Sequence, residues 1–436
     1  MRIHALDGKT VLILGYGKEG KATVAALEKF APNADITISD KKTDVAPKDG
    51  PHRWQLGEGW MENLETFDVI IKTPGIPPSP ELTKYAKKTT SAVQIFLDTI
   101  AGSGAIVVGV TGSKGKSTIS SLLAAMLKAA GKDVYLVGNI GEPSITHLSD
   151  AKKGTIFVHE LSSYMLMNLT TSPHVAIVTS FFPEHLDYHG SLDAYLDAKK
   201  PIARFQTEDD ATYFNADSPG AVSIASEGHG RKIPVQADDC PLNLAETKLI
   251  GEHNRVNIAL AWRAADGLGV RKDVAVAAVK AFEPLPHRLQ PLGVVGGISW
   301  VDDAISTTPE SAIAALDALG DGVATIILGG QDRGNDFSGL AERLKVSGIS
   351  TAILFPGSGP RIRSAIEATN AAIDLIDVTS MEEAVSKAHE RTHSYTHTHP
   401  HSSPPIVLLS TASPSYGMFK NFEEKGEAFA RCIHSV

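Results

Sequence analysis

The sequence predicts an α/β protein built as three domains, and three observations carry that expectation. Strand-like apolar runs alternate with helical patterns, as at 10–14 followed by 21–30 and at 105–110 followed by 117–130, the order expected of parallel strands joined by crossover helices. Glycine-rich turns stand between strand and helix near 15–20 and 112–117. At 436 residues, 42% of them hydrophobic, the chain exceeds what one ordinary core accommodates.

Loop signals divide the chain. Residues 102–104 precede the second major strand, and Glu283-Pro284-Leu285-Pro286-His287-Arg288 carries prolines that interrupt a continuing helix. Domains are therefore expected over 1–98, 99–288 and 289–436. The N-terminus runs from a short polar lead straight into a strand, without the apolar stretch of a signal peptide or membrane span. A cytoplasmic protein is expected. Two cysteines, Cys240 and Cys432, are too few for a disulfide framework. A net charge of −9 offers no bulk attraction to nucleic acid or to an anionic membrane, so an anionic substrate must be held by local groups.

The first such group is Gly15-Tyr16-Gly17-Lys18-Glu19-Gly20, with Asp40 after the next strand, the spacing of a dinucleotide fingerprint. Glycines let the backbone approach a diphosphate, and a helix N-terminus supplies amide donors. NAD, another nucleotide diphosphate, or a tight turn with no ligand all satisfy this pattern. The second group is Gly109-Val110-Thr111-Gly112-Ser113-Lys114-Gly115-Lys116-Ser117-Thr118. Here backbone amides can cradle phosphates, Lys116 can neutralise the terminal ones and Ser117 can ligate magnesium. A strict P-loop needs glycine at 110, where this chain has valine.

The second group resembles the ATP loop of the Mur ligases and folylpolyglutamate synthetases. Further stretches resemble that family's motifs in order: Gly138-Asn139-Ile140-Gly141, His159-Glu160, Glu184-His185-Leu186-Asp187, His253-Asn254, His287-Arg288 and Gly329-Gly330-Gln331-Asp332-Arg333. The ending Ser415-Tyr416-Gly417-Met418-Phe419-Lys420-Asn421-Phe422-Glu423 is similar to the D-glutamate-adding branch. The resemblance implies an ATP- and Mg2+-dependent ligase that activates the carboxylate of UDP-N-acetylmuramoyl-L-alanine as an acyl phosphate and lets D-glutamate attack it. It also implies a Rossmann-like first domain, a central P-loop-type ATPase domain and a Rossmann-like C-terminal domain, and a monomer is expected.

The same resemblance implies roles by position. Gly112, Ser113, Lys114, Gly115, Lys116, Ser117 and Thr118 would hold ATP with Asn254, Arg288 and Asp332. Lys116, His185 and Lys199 would be catalytic, Lys199 as a carbamate with Lys200 as the competing register. Ser117, Glu160, His185 and Lys199 would hold magnesium. Gly15, Tyr16, Gly17, Lys18, Asp40, Lys41, Thr73, Pro74, Gly75 and Asn139 would bind the UDP-substrate; Arg361, Ser415 and Phe422 would bind the amino acid. The chain departs from the family's Asp-Ser-Lys pattern at Asp303-Ala304-Ile305, and has Arg333 where lysine is usual. Finally, 392–405 is rich in His, Ser, Thr and Pro, a composition expected of a solvated loop. Metal binding by His397, His399 and His401 is the minor alternative.

Overall fold

The computed structural model describes residues 1–45, 51–398 and 404–436. The chain divides into two compact units, the first made of 1–247 with 255–282 and the second of 248–254 with 283–436. Among the described residues, strands form three sheets, two in the first unit and one in the second.

The first sheet contains β1 (Thr10–Leu14), β2 (Asp35–Asp40), β3 (Arg53–Leu56), β4 (Val69–Lys72) and β5 (Thr89–Thr90), in the order β3-β2-β1-β4-β5. All its pairings are parallel. The central sheet contains β6 (Ile106–Thr111), β7 (Asp133–Gly138), β8 (Thr155–Glu160), β9 (Val175–Val178), β10 (Ala211–Asn215) and β11 (Arg231–Val235), ordered β11-β10-β9-β6-β8-β7 and again parallel. β8 is buried along its whole length and β6 nearly so, as expected of parallel strands covered on both faces. Buried side chains of the two sheets, among them Val11, Ile71, Val107 and Phe157, share one core with Phe96 of the helix Ala92–Ile100.

The second unit holds β12 (Gln290–Val295), β13 (Ile298–Asp302), β14 (Val323–Gly330), β15 (Thr351–Gly357), β16 (Asp374–Asp377) and β17 (Ile406–Leu409), in the order β12-β13-β17-β14-β15-β16. β12 pairs antiparallel with β13 and the other pairings are parallel. Pro291 sits on this edge strand, where a missing amide does least harm. Apolar clusters lie on both faces of the sheet.

Helix starts follow local chemistry. Ser91 accepts from the Gln94 amide at 3.2 Å and Asn421 from the Glu424 amide at 2.9 Å, each satisfying a first-turn donor. The expected solvated loop at 392–405 needs correction, because the helix Met381–Thr398 covers its first seven residues. Its composition hid a face spaced at helical intervals: Ala384, Val385, Ala388 and Thr392 are all buried, and the Thr392 hydroxyl meets that of Thr325 at 2.7 Å. That backbone is not the extended strand assumed for a histidine metal site, and His399 and His401 lie outside the described residues. No helix among the described residues is long and apolar enough to cross a membrane.

Candidate active site

The turn after β6 is shaped by contacts from the segment after β9. The Ser113 amide donates to the Ser180 carbonyl at 2.8 Å, and the Lys114 amide to the Ser180 hydroxyl at 3.0 Å. Two amides of the expected phosphate cradle are therefore engaged. The helix Lys116–Ala129 follows, and its first-turn amides are the remaining donors that point out of a helix start. Gly112 permits this path: at φ +147°, an added Cβ would lie 1.9 Å from the Thr179 hydroxyl.

Charged groups gather around this turn. Lys116 donates to the Gly112 and Ser113 carbonyls at 3.0 and 2.9 Å, and Lys199 donates to the same Gly112 carbonyl at 2.9 Å. Lys199 is 1% exposed. Burial, reinforced by the Lys116 charge, pushes its pKa well below the lysine range despite Glu184 and Glu160 nearby. Its stem lies against the Tyr195 ring, with the ammonium 4.7 Å from the centroid. By contrast Lys200, the competing register, forms ion pairs with Asp197 and Glu227 at 2.8 and 3.0 Å.

Lys114 pairs with Glu184 at 2.5 Å. Burial raises the Glu184 carboxyl, but Lys114 and Lys116 outweigh it and hold the group below its ordinary range. His185, next in the chain, has a left-handed backbone at φ 56° and an exposed side chain 5.0 Å from the Tyr164 ring. Non-glycine residues adopt that backbone rarely.

Glu160 ends β8 and is fully buried; Oε1 accepts from the Asn139 amide group at 2.7 Å, while Oε2 has no partner. A carboxylate oxygen orphaned in this way suits a cation. Asn139, expected at the UDP-substrate, is thus found holding Glu160. Among the described residues no three His, Cys, Asp or Glu side chains converge on one point, so hydroxyl and lysine-derived ligands would have to complete a set around Glu160.

The first glycine turn shows a different use of Asp40. Its carboxylate accepts from the Tyr16 amide at 2.8 Å and the Lys42 amide at 2.9 Å, so Asp40 buttresses the turn itself. Gly15 passes close to Thr73, where an added Cβ would come within 2.2 Å of the hydroxyl. This brings Gly15 beside Thr73. The Lys18 ammonium reaches the Gly141 carbonyl at 2.5 Å. Lys41 is exposed. Sequence reasoning missed Trp54, whose ring meets Tyr16 edge-on at 4.9 Å; a lone tryptophan on an edge strand carries no local pattern.

In the second unit Asp332 and Arg361, given separate roles by resemblance, form an ion pair at 2.7 Å. The Gly334 amide and then Arg361 hold the Asp332 carboxyl below its ordinary range. Asn254 is buried and donates to the Ile250 carbonyl at 2.8 Å. Arg288 lies close enough to His253 to reinforce the effect of burial in lowering that imidazole's pKa. Ser415 is 5% exposed and its hydroxyl has no partner. Phe422 begins the helix Phe422–Ile433 and faces the His287 ring edge-on at 6.0 Å.

Comparison with known proteins adds to this geometry. Residues 110–237 match the Mur ligase middle domain, and 287–395 match the Mur ligase glutamate ligase domain. A relative from Salinispora tropica, 34% identical with 100% of both chains covered, is named UDP-N-acetylmuramoyl-L-alanine--L-glutamate ligase. Another from Symbiobacterium thermophilum, 32% identical with 87% of each covered, is named UDP-N-acetylmuramoylalanine--D-glutamate ligase. Among solved structures, a MurF ligase from Thermotoga maritima in complex with ADP covers 100% of this chain and is covered to 97%, with TM-score 0.60 at 16% identity.

Proposed function

The chain belongs to the Mur ligase family of ATP-dependent ligases in peptidoglycan-precursor synthesis, and on that premise we propose that it joins glutamate to UDP-N-acetylmuramoyl-L-alanine in the cytoplasm. The observation that carries this reading is the meeting of Lys116 and Lys199 at one carbonyl of the phosphate turn, with Glu160 nearby.

Each proposed step uses groups described above. Residues 15–18 and 73–75 bind the UDP-substrate, whose carboxylate attacks the γ-phosphorus of ATP; the P–O bond to ADP breaks and an acyl phosphate forms. Lys116 and the first amides of its helix stabilise charge on the transferring group. Glutamate's amine then attacks the acyl carbon, phosphate leaves and the amine loses a proton. Ser415 and Phe422 are assigned to the glutamate. Magnesium would be held by Ser117, Glu160, His185 and Lys199, and when bound it neutralises phosphate charge. Lys199 suits this only as a carbamate. Burial lowers the pKa of this amine well below the lysine range; the deprotonated amine attacks CO2, forms an N–C bond and releases a proton, leaving an anion.

The resemblance at 415–423 favours D-glutamate. A second reading, L-glutamate, is favoured by the Salinispora tropica relative, similar along the whole chain. Phosphate release assayed with UDP-N-acetylmuramoyl-L-alanine and each enantiomer decides between them. Release that requires neither glutamate would reject both.

A further inference from the structure

The turn at 73–76 is held by two side chains that the assigned roles leave out. Lys72 ends β4 and is 6% exposed; its ammonium donates to the Ile76 carbonyl at 2.5 Å, with the Thr73 carbonyl at 3.5 Å and the Tyr188 hydroxyl at 3.3 Å. The Tyr188 hydroxyl lies 2.7 Å from the Ile76 carbonyl and 3.1 Å from that of Pro74. A phenol has one proton to give, so Tyr188 donates to the nearer carbonyl, shares with the other, and accepts from Lys72. Backbone oxygens of 73, 74 and 76 are thus gathered by one ammonium and one phenol.

Tyr188 also belongs to the other side of the chemistry. It stands three residues after His185 in the short helix Leu186–His189, and its ring packs on Tyr164 at 4.1 Å, the ring that also meets His185. Burial brings Lys72 down to about 8 and Tyr188 up to about 12, so both keep their donor protons near neutral pH. Buried donors of this kind are costly to leave unpaired. The link therefore resists being stretched.

We propose that Lys72 and Tyr188 are positioning residues for ligation: together they fix the 73–76 turn relative to His185, and so fix where the acceptor carboxylate meets the transferring phosphate. This rests on the acceptor-binding role proposed for that turn. Displacements of an ångström at a reacting centre cost rates of about a hundredfold, which gives so small a link its leverage.

The test uses Tyr188→Phe, Lys72→Met and the double variant. Hydrogen exchange in the ligand-free protein reads the link without any reaction, because the Thr73 amide is bonded to the Leu14 carbonyl and the Ile76 amide to the Thr73 carbonyl. Each single variant is expected to speed exchange across 70–78 by about tenfold while leaving 112–118 unchanged. Unaltered exchange at the turn overturns the proposal. In ligation, each is expected to lower kcat by about tenfold with KM for ATP unchanged, and the double variant to be no slower than the slower single one. Independent losses multiplying to about a hundredfold would also overturn it. A wild-type protein inactive with this acceptor defeats the functional reading instead, and the exchange data still decide whether the link exists.

Discussion

Lys116 and Lys199 donate to the same oxygen, the Gly112 carbonyl, at 3.0 and 2.9 Å. Two ammonium groups on one acceptor repel, and only Lys199 is fully buried. The repulsion is relieved most easily by Lys199 giving up its proton. Burial first and the Lys116 charge second lower the pKa of the Lys199 amine well below the lysine range.

Replacing Lys199 tests that amine. Lys199→Ala is expected to lose about a hundredfold or more in ligation rate, with partial recovery when short carboxylic acids are added to stand in for the carbamate. Wild-type activity should also fall when CO2 is stripped and return with bicarbonate. Full activity of Lys199→Ala without any addition would reject the carbamate.

Gly112→Ala probes the phosphate turn. The new methyl would overlap the Thr179 hydroxyl and lie 2.9 Å from the Ser180 amide nitrogen, on a backbone that L-residues disfavour. Strain of about 1–3 kcal/mol is expected from the backbone alone, lowering the thermal transition and abolishing nucleotide binding measured by calorimetry. Undiminished ADP binding would show that the turn's path is not set by this glycine.

Ser415→Ala separates binding from folding. Because its buried hydroxyl has no partner, removing it should leave thermal stability unchanged or slightly higher. KM for glutamate should rise by about tenfold, the scale of one lost hydrogen bond. A stability loss with unaltered KM would make Ser415 an architectural residue.

Lys425 gives the second unit a pH dependence. It is 1% exposed, donates to the Thr411 hydroxyl at 2.5 Å, and burial lowers its pKa to about 7 against the upward pull of Asp302 and Asp303. Between about 7 and 10.5 the unfolded chain therefore holds the extra proton, and stability rises with pH across that window. The stability of wild type relative to Lys425→Met, followed by thermal unfolding, should rise from pH 7 to pH 10. A difference that stays flat refutes the shift.

Much of the phosphate turn was legible because strand, glycine turn and helix are contiguous, so residues 107–118 carry their own geometry. What surrounds the turn was not. Tyr195 reaches the Ser113 hydroxyl from 82 residues away, and Tyr188 reaches Ile76 from 112; parallel sheets create such meetings through crossovers that no local window contains. Asp40 was legible as an acid at a strand end, but its capture by the Tyr16 amide was not. The Asp332–Arg361 pair depended likewise on the adjacent ends of β14 and β15. Helical packing at Thr392 escaped because histidines and threonines diluted the apolar period.

The strand order around β6 bears on how the protein is made. β6 lies between β8 and β9, so both its neighbours are synthesised later, at 155–160 and 175–178. On the ribosome, β6 waits for its first lateral partner until residue 160 has emerged and for its second until residue 178 has. Completion of the sheet around β6 is therefore a late event in the life of the nascent chain, and a stall before residue 155 would leave an apolar strand for chaperones to shield.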